Sequence, residues 1–310
     1  MTEDEPPKEP PPPSESRREN VPLGIACMLT ATVLFQISSV LSKWLIETYP
    51  VGEMLLMRAV SSLAVSSLAI LPVTGLVVFR TRRLHDHLLR NVSQSLAQVF
   101  LVIAMSTMPL ARVIAITFSA PLFSTVAARV VLKETVGPMR WSVLVIGFLG
   151  VLVVTQPGMG AFQIGALFAL GNTLLIGTVA IGVRRMTATE STPTLIMYQM
   201  VILTVFFTAS LPFGFMRPAS ATDFGAMMLN GVANAGGQYL WTRALHLAPA
   251  SAVAPYQYFS LVWATVFGFL VWGEVPTAML IAGASIVMGS GLFLLWHETR
   301  RARARRKAAG

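Results

Sequence analysis

The chain consists mainly of apolar runs that are long enough to cross a membrane as helices. A helix needs about 20 residues to span roughly 30 Å of hydrocarbon. Only 12% of the 310 residues are charged and 54% are hydrophobic, whereas soluble domains carry about 25% charged residues. So few charges cannot cover the surface of a soluble domain. The sequence therefore predicts an integral membrane protein and excludes an ordinary cytosolic enzyme.

Prolines and glycines divide the apolar sequence into separate runs, as helix starts or loop breakers. Backbone groups in lipid must be hydrogen-bonded within the chain, so each run is predicted to be a helix. The predicted helices cover residues 22–44, 54–72, 88–107, 110–132, 138–155, 163–183, 194–212, 223–246, 250–272 and 277–296. The predicted fold class is an all-α polytopic membrane protein with ten transmembrane helices.

Lysine and arginine are distributed unequally between the two sides of these helices. Nineteen of the 23 fall on the side of both termini, and the other four are Lys43, Arg58, Arg112 and Arg217. Cytoplasmic loops collect positive charge, so we expect a multi-pass protein of the bacterial inner membrane with both termini in the cytoplasm. Because this bias explains the net charge of +9, we expect the lipid bilayer and no nucleic acid as partner.

The ends of the chain differ from its apolar body. Residues 1–20 contain six prolines and six acidic residues and no apolar core, so we expect a disordered cytoplasmic tail. Residues 298–310 are expected to form a basic cytoplasmic tail. The single cysteine, Cys27, lies in an apolar run and excludes an intramolecular disulfide.

The two halves of the chain resemble each other at an offset of 140 or 141 residues. Matching pairs include Gln98–Gln238, Pro109–Pro249, Glu134–Glu274, Gly24–Gly165 and Lys43–Arg184. An odd number of helices per copy makes the second copy enter the membrane from the opposite side. We therefore predict two inverted five-helix repeats, residues 21–157 and 162–297. Secondary transporters often have this architecture, with a binding site near the midplane; a duplication without a transport role is the alternative.

Both halves carry proline and glutamate motifs around their fourth helix. The first has Ser119-Ala120-Pro121-Leu122-Phe123, Leu132-Lys133-Glu134, Gly147 and Gly150, and the second has Ala254-Pro255-Tyr256-Gln257-Tyr258 and Trp272-Gly273-Glu274-Val275-Pro276. These motifs resemble the EamA repeat of the drug/metabolite transporter superfamily over about residues 21–297. The resemblance implies a ten-helix transporter with a central cavity for small organic metabolites. Members export amino acids and related metabolites, or take up nucleotide-like molecules, flavins and S-adenosylmethionine.

Amide side chains form one stripe on the third predicted helix and another on the eighth. The stripes consist of Asn91, Gln94 and Gln98, and of Asn230, Asn234, Gln238 and Trp241. Each spacing places its residues on one helical face, and the stripes coincide at the repeat offset. We predict that they are two walls of one substrate cavity. Hydrogen bonding between neighbouring helices is the alternative role.

Other polar and aromatic residues within the predicted helices are further candidates for substrate binding. They are Tyr198 and Gln199 of the seventh helix, Tyr256, Gln257 and Tyr258 of the ninth, and, more weakly, Gln36 of the first. Tyrosine rings can stack on a planar substrate; the alternative is an aromatic belt at the interface.

Arg58 lies about one turn inside the second predicted helix, on the side that is poor in positive charge. Its guanidinium can hold a substrate carboxylate with two hydrogen bonds, or it can extend to the outer lipid headgroups. No acidic residue lies in the middle of a predicted helix, which argues against proton antiport through a buried carboxylate.

The sequence contains no P-loop, nucleophile elbow or HExxH motif, so we expect neither enzymatic activity nor a cofactor. His85-Asp86-His87 offers two possible metal ligands within an arginine-rich segment, and we interpret it as a charged loop because a metal site needs more ligands. Glycines in the fifth and tenth helices permit close packing, in an outer layer or in a homodimer through these two helices.

The combined prediction is a secondary transporter of small organic metabolites that works by alternating access. Export of amino acids or related metabolites is the primary expectation. Uptake of a flavin, S-adenosylmethionine or a nucleoside-like solute is the alternative within transport, and a non-transporting membrane scaffold is the alternative from another class.

Overall fold

The protein is described from a computed structural model. The structure describes residues 20–120, 123, 138–155, 164–186, 189–248 and 250–309, and these contain helices and no strand. The main helices are α1 (Val21–Leu45), α2 (Val51–Thr74), α3 (Leu84–Thr107), α4 (Leu110–Thr117), α5 (Pro138–Thr155), α6 (Ile164–Met186), α7 (Thr192–Thr208), α8 (Ala221–Leu247), α9 (Phe259–Trp272) and α10 (Ala278–Ala309). The all-helical fold class predicted from the sequence is confirmed.

Three details differ from the predicted helices. The ninth predicted helix is interrupted: a single turn at Ala250–Val253 and a 3-10 turn at Ala254–Tyr258 precede α9, because Pro255 has no amide hydrogen for a helical bond. Most of the predicted residues 118–132 of the fourth helix, with Pro121 and Glu134, lie outside the described residues. The last helix continues through the basic residues to Ala309.

Several helices are long and apolar enough to cross a membrane. Among the described residues, the segments Val21–Leu45, Val51–Phe79 and Leu84–Thr107 meet this condition by length and composition, and four other helices contain shorter apolar stretches. We name the side on which α1 begins the inner side, which is the predicted cytoplasmic side, and the opposite side the outer side.

The helices of one repeat pack against helices of the other. Each such contact has an equivalent contact in which the two repeats have exchanged their roles. The first helix α1 contacts α8, and its counterpart α6 contacts α3; likewise α2 contacts α8, and α7 contacts α3. Two helices of matching position also meet in α2–α7, α4–α9 and α5–α10. The two repeats are therefore interlocked through these helices of the described part of the chain.

A pair of glycines makes the α1–α8 and α6–α3 contacts close. A Cβ atom on Gly24 would lie 2.8 Å from the Cβ of Ala248, and one on Gly165 would lie 2.1 Å from the Oγ1 of Thr107. Gly24 and Gly165 are matching positions in the two repeats. The same close approach thus occurs at the inner end of one helix pair and at the outer end of the other.

The helices α5 and α10 pack on each other through glycine. A Cβ atom on Gly283 would lie 2.6 Å from Cγ2 of Val154 and 2.8 Å from the carbonyl oxygen of Gly150. These glycines therefore serve a contact within the chain. A homodimer through the outer faces of the same two helices stays a prediction.

We predict that Gly283→Ala destabilises the bundle, because the added methyl group forces α5 and α10 apart. Overpacking of this kind costs about 1–3 kcal/mol. Gly289→Ala is the matched control, because Gly289 lies on the same helix with no atom within 4 Å of the added Cβ. Thermal unfolding of both purified variants in detergent checks this, and equal unfolding temperatures contradict the close packing.

Candidate functional site

The residues Arg58 and Gln98, which the sequence predicts as site residues, are in direct contact. The guanidinium Nη2 of Arg58 donates a hydrogen bond to Oε1 of Gln98, which joins α2 to α3. Arg58 is 8% exposed and lies roughly 10 Å along α2 from its outer end, at 1.5 Å per residue. Its side chain is thus directed into the bundle and not to the outer headgroups. No carboxylate bonds to it among the described residues.

Two other buried polar groups near this depth have no hydrogen-bond partner among the described residues. They are Oε1 of Gln36 on α1 and Nε1 of Trp263 on α9. Counted along their helices from the outer ends, both lie roughly 10–16 Å deep. A buried group without a hydrogen bond costs about 1–3 kcal/mol, so this layer is suited to bind water or a polar solute.

The amide stripes divide into structural and unpaired members. Asn230 is fully buried and bonds to α1, where it accepts from Ser38 at 2.6 Å and donates to Ser42 at 3.0 Å. This member takes the alternative role of joining helices. Gln94 and Asn234 are half-buried without such bonds, and both amide atoms of Asn91 are buried without a partner.

A groove of about 400 Å³ lies between α2, α7 and α8 in the inner half of the bundle. Its lining residues include Val65, Ser66, Ala69, Thr192, Ile196 and Gln238. Gln238, the repeat counterpart of Gln98, is therefore the stripe residue that borders this space. Because α2 belongs to the first repeat and α7 and α8 to the second, the groove lies between the two halves.

The groove is bordered by the less exposed sides of α2 and α7. Arg58, Val65 and Ala69 share one face of α2 at 100° per residue, and the 78% exposed Leu68 lies about 60–100° around the helix from them. On α7 the 64% exposed Val205 is nine residues from Ile196, half a turn around the helix. On the α8 side the lining includes Tyr239, which is 59% exposed, and the exposed Arg243, so the groove is open on one side. The Arg58–Gln98 contact lies beyond its outer end.

The predicted residues Tyr198 and Gln199 participate in a cluster at the inner side. The hydroxyl of Tyr198 donates to the carbonyl of Phe79 at 2.8 Å, and its ring stacks on His87 with centroids 4.3 Å apart. Gln199 accepts from Arg90 at 2.9 Å. These contacts hold α7 to α3 and to the segment that precedes α3, so the structure brings both residues together away from the groove.

The motif His85-Asp86-His87 belongs to the first turn of α3 and not to a charged loop. Its last member, His87, is fully buried and lies 4.0 Å from the carboxylate of Glu190. Sequence reasoning missed this contact because Glu190 follows α6, more than 100 residues away. The sequence did contain a signal for the burial of His87, because His87, Asn91 and Ser95 are spaced four residues apart on one buried face of α3.

The remaining aromatic candidates pack against other helices. Trp241 and Tyr256 border a buried apolar cluster with Met28 and Val253 at the inner end of α1. The ring of Tyr258 lies 4.8 Å from that of Phe118. Gln257 is half-buried and forms no hydrogen bond among the described residues.

An ion pair joins the two repeats at the outer side. Lys43, at the end of α1, is paired with the carboxylate of Glu274, which follows α9. Glu274 also accepts from the amide of Leu110 at 2.8 Å, and Lys43 donates to the carbonyl of Met108 at 3.2 Å. This network connects α1, α9 and the link between α3 and α4, and its pairing was not predicted. The sequence did contain a signal for it. Lys43 and Glu274 each lie at the end of a helix, and each has a residue of the same charge at the corresponding repeat position, Arg184 and Glu134.

We predict that Gln98→Leu destabilises the protein, because it leaves the buried guanidinium of Arg58 without its hydrogen bond. Loss of a bond to a charged group costs about 1.5–3 kcal/mol. Gln94→Leu is the matched control, since Gln94 lies one turn away on α3 and has no such bond. Detergent unfolding temperatures measure the difference, and a Gln98→Leu variant as stable as the control contradicts the contact.

Known proteins of similar sequence are transporters. A riboflavin transporter of Rhizobium johnstonii is 29% identical over 284 residues, which cover 91% of this chain and 93% of that protein. An S-adenosylmethionine uptake transporter of Rickettsia prowazekii is 24% identical and covers 89% and 94%. A pseudopaline exporter of Pseudomonas aeruginosa is 24% identical and covers 86% and 93%.

The fold and the family also have known counterparts. A solved crystal structure superimposes with a TM-score of 0.61 at 15% identity, covering 86% of this chain and 94% of that chain, which shows the fold alone. The sequence profile of the EamA-like transporter family matches residues 22–156 and 163–296. The chain therefore belongs to the EamA-like transporter family and is a multi-pass membrane transporter of small molecules.

Proposed function

We propose that the protein is a secondary transporter of the bacterial inner membrane that takes up a flavin-like metabolite by alternating access. The observation that carries this proposal is the groove between α2, α7 and α8. Its volume of about 400 Å³ lies in the range of small-molecule sites, which are mostly apolar with a few polar groups. The similarity to a riboflavin transporter supports the same choice.

The groove favours a flavin over an amino acid, the primary expectation from the sequence. An amino acid is a zwitterion, and its binding site needs partners for both charges. The described lining contains Arg243 as its one charged side chain and no carboxylate. Apolar walls with hydroxyl and amide groups suit a neutral ring system better. Amino-acid export stays an untested alternative.

S-adenosylmethionine is a second candidate, and Arg58 is the observation that favours it. This buried guanidinium has a neutral partner, Gln98, so the positive charge is available for a carboxylate. S-adenosylmethionine combines a carboxylate with a flat purine ring. A relative of this chain is named as an uptake transporter for it.

In the proposed mechanism, the network around Lys43 and Glu274 closes the outer side while the groove is accessible from the inner side. Opening the outer side requires this ion pair to break. In the repeat, Lys43 corresponds to Arg184 and Glu274 corresponds to Glu134. Glu134 lies outside the described residues.

We predict that proteoliposomes loaded with unlabelled riboflavin accumulate labelled riboflavin by counterflow. S-adenosylmethionine in the same assay tests the second candidate, and a set of amino acids tests the export alternative. Empty liposomes and liposomes without an internal load are the controls. Counterflow of amino acids without counterflow of either larger solute contradicts the proposal.

We predict that Lys43→Glu and Glu274→Lys each lower the initial rate of transport about tenfold, since a shift of about 1.4 kcal/mol between the two states suffices for that factor. Removing one partner of a buried pair costs about 3–5 kcal/mol. The double variant restores the pair with reversed charges but not the hydrogen bonds of Lys43 to Met108 and of Glu274 to Leu110, so we expect it to recover part of the rate. The exposed Arg217→Glu serves as the matched control at the same side. A double variant no better than the single variants contradicts a gating pair.

A further inference from the structure

We propose that the groove between α2, α7 and α8 binds the flat heteroaromatic ring of the transported solute. Ser66 keeps the space for the ring open, and Gln238 recognises its polar edge. This inference rests on the proposed function and assigns the place, the ligand class and the residues that determine specificity.

The position that corresponds to the groove in the other half of the repeat is filled. Ser66 of α2 matches Phe207 of α7, at an offset of 141 residues. Phe207 is 1% exposed and belongs to a buried apolar cluster with Leu55 and Val102. Leu55 matches Ile196 of the groove at an offset of 141 residues, and Val102 matches Thr242 at an offset of 140. The same helix arrangement is therefore solid in the outer half and open in the inner half.

The difference originates in the sequence as well as in the conformation. A serine stands at Ser66 where the matching helix has the phenyl ring of Phe207, so closing the helices cannot by itself make the two halves equivalent. The side chain of Phe207 fills its position in the outer half, whereas Ser66 borders a groove of about 400 Å³. The small side chain at Ser66 thus creates a site on one side of the transporter.

The walls of the groove fit a flat ring. Val65, Ala69 and Ile70 of α2 and Ile196 of α7 line it with apolar atoms. A heteroaromatic ring has two apolar faces that gain from leaving water and a polar edge that needs hydrogen bonds. A charged group would lose its hydration against these walls without replacement.

Gln238 is placed to bond such an edge. Its side chain is half-buried and makes no hydrogen bond among the described residues, while its counterpart Gln98 is occupied by Arg58. A carboxamide both donates and accepts. The pyrimidinedione edge of a flavin presents an N–H between two carbonyl groups, which matches both functions of the amide.

The first test fills the groove. Ser66→Phe reproduces the residue that closes the corresponding outer position, so we expect riboflavin affinity and counterflow rate to fall at least about tenfold, a factor that corresponds to about 1.4 kcal/mol. Ala64→Phe adds the same ring on the exposed side of α2 and is expected to retain both. Quenching of riboflavin fluorescence measures binding, and unfolding temperatures confirm that both variants are folded.

The second test concerns the hydrogen bonds. We expect the unmodified protein to bind riboflavin more tightly than 3-methylriboflavin, which lacks the N–H of the ring edge. Gln238→Leu is expected to weaken riboflavin binding and abolish this preference, and Gln238→Asn to restore part of it. A preference that Gln238→Leu leaves unchanged overturns the role of Gln238.

The third test identifies what occupies the groove. Ala69→Cys, in a chain with Cys27→Ser, places a thiol in the groove, and we expect a hydrophilic maleimide to label it more slowly in the presence of riboflavin. A thiol that only a lipophilic reagent labels indicates lipid and overturns the inference. If Ser66→Phe leaves riboflavin binding intact, the groove is not the binding site, and the proposed function is unaffected. A chain that neither binds nor moves riboflavin contradicts the proposed function.

Discussion

The need to satisfy every backbone hydrogen bond within lipid determines most of this structure. It turns the apolar runs into helices, and the helices must then pack on one another through side chains and close glycine contacts. Because each repeat contributes an odd number of helices, the two copies are oppositely oriented, and α1–α8 and α6–α3 become equivalent pairs. Gly24 and Gly165 lie at the close approaches of these pairs. The space between the halves follows from this interlocking.

An inverted pair of repeats makes the two sides of the membrane equivalent, and transport requires that this equivalence is broken. In this structure the Lys43–Glu274 pair and the cluster around Phe207 join helices in the outer half, and we propose that they close it. The inner half contains the groove bordered by Ser66 and Gln238. One part of this difference can reverse during transport, because ion pairs can exchange. The other part is permanent, because the two repeats carry different side chains at corresponding positions, Ser66 and Phe207.

The fold was predictable from the sequence because it depends on periodic patterns of long range. Run length, the distribution of Lys and Arg and the repeat offset all concern many residues at once. The site was predictable only in part. Helical spacing placed Gln98 on a polar face of its helix, but it left open whether Arg58 faces the bundle or the outer headgroups, and the hydrogen bond between them depends on how α2 and α3 cross. The role of Asn230 in joining helices and the break at Pro255 depend equally on tertiary contacts.

We propose that a flat solute binds between the two repeats in the inner half of the bundle, and a high-resolution structure determined with riboflavin would show whether it does. We expect density for the ring between α2, α7 and α8, with its polar edge at Gln238 and one face over Ala69. Density for the ring at the outer face of the bundle, or a riboflavin complex with an empty groove, would contradict it.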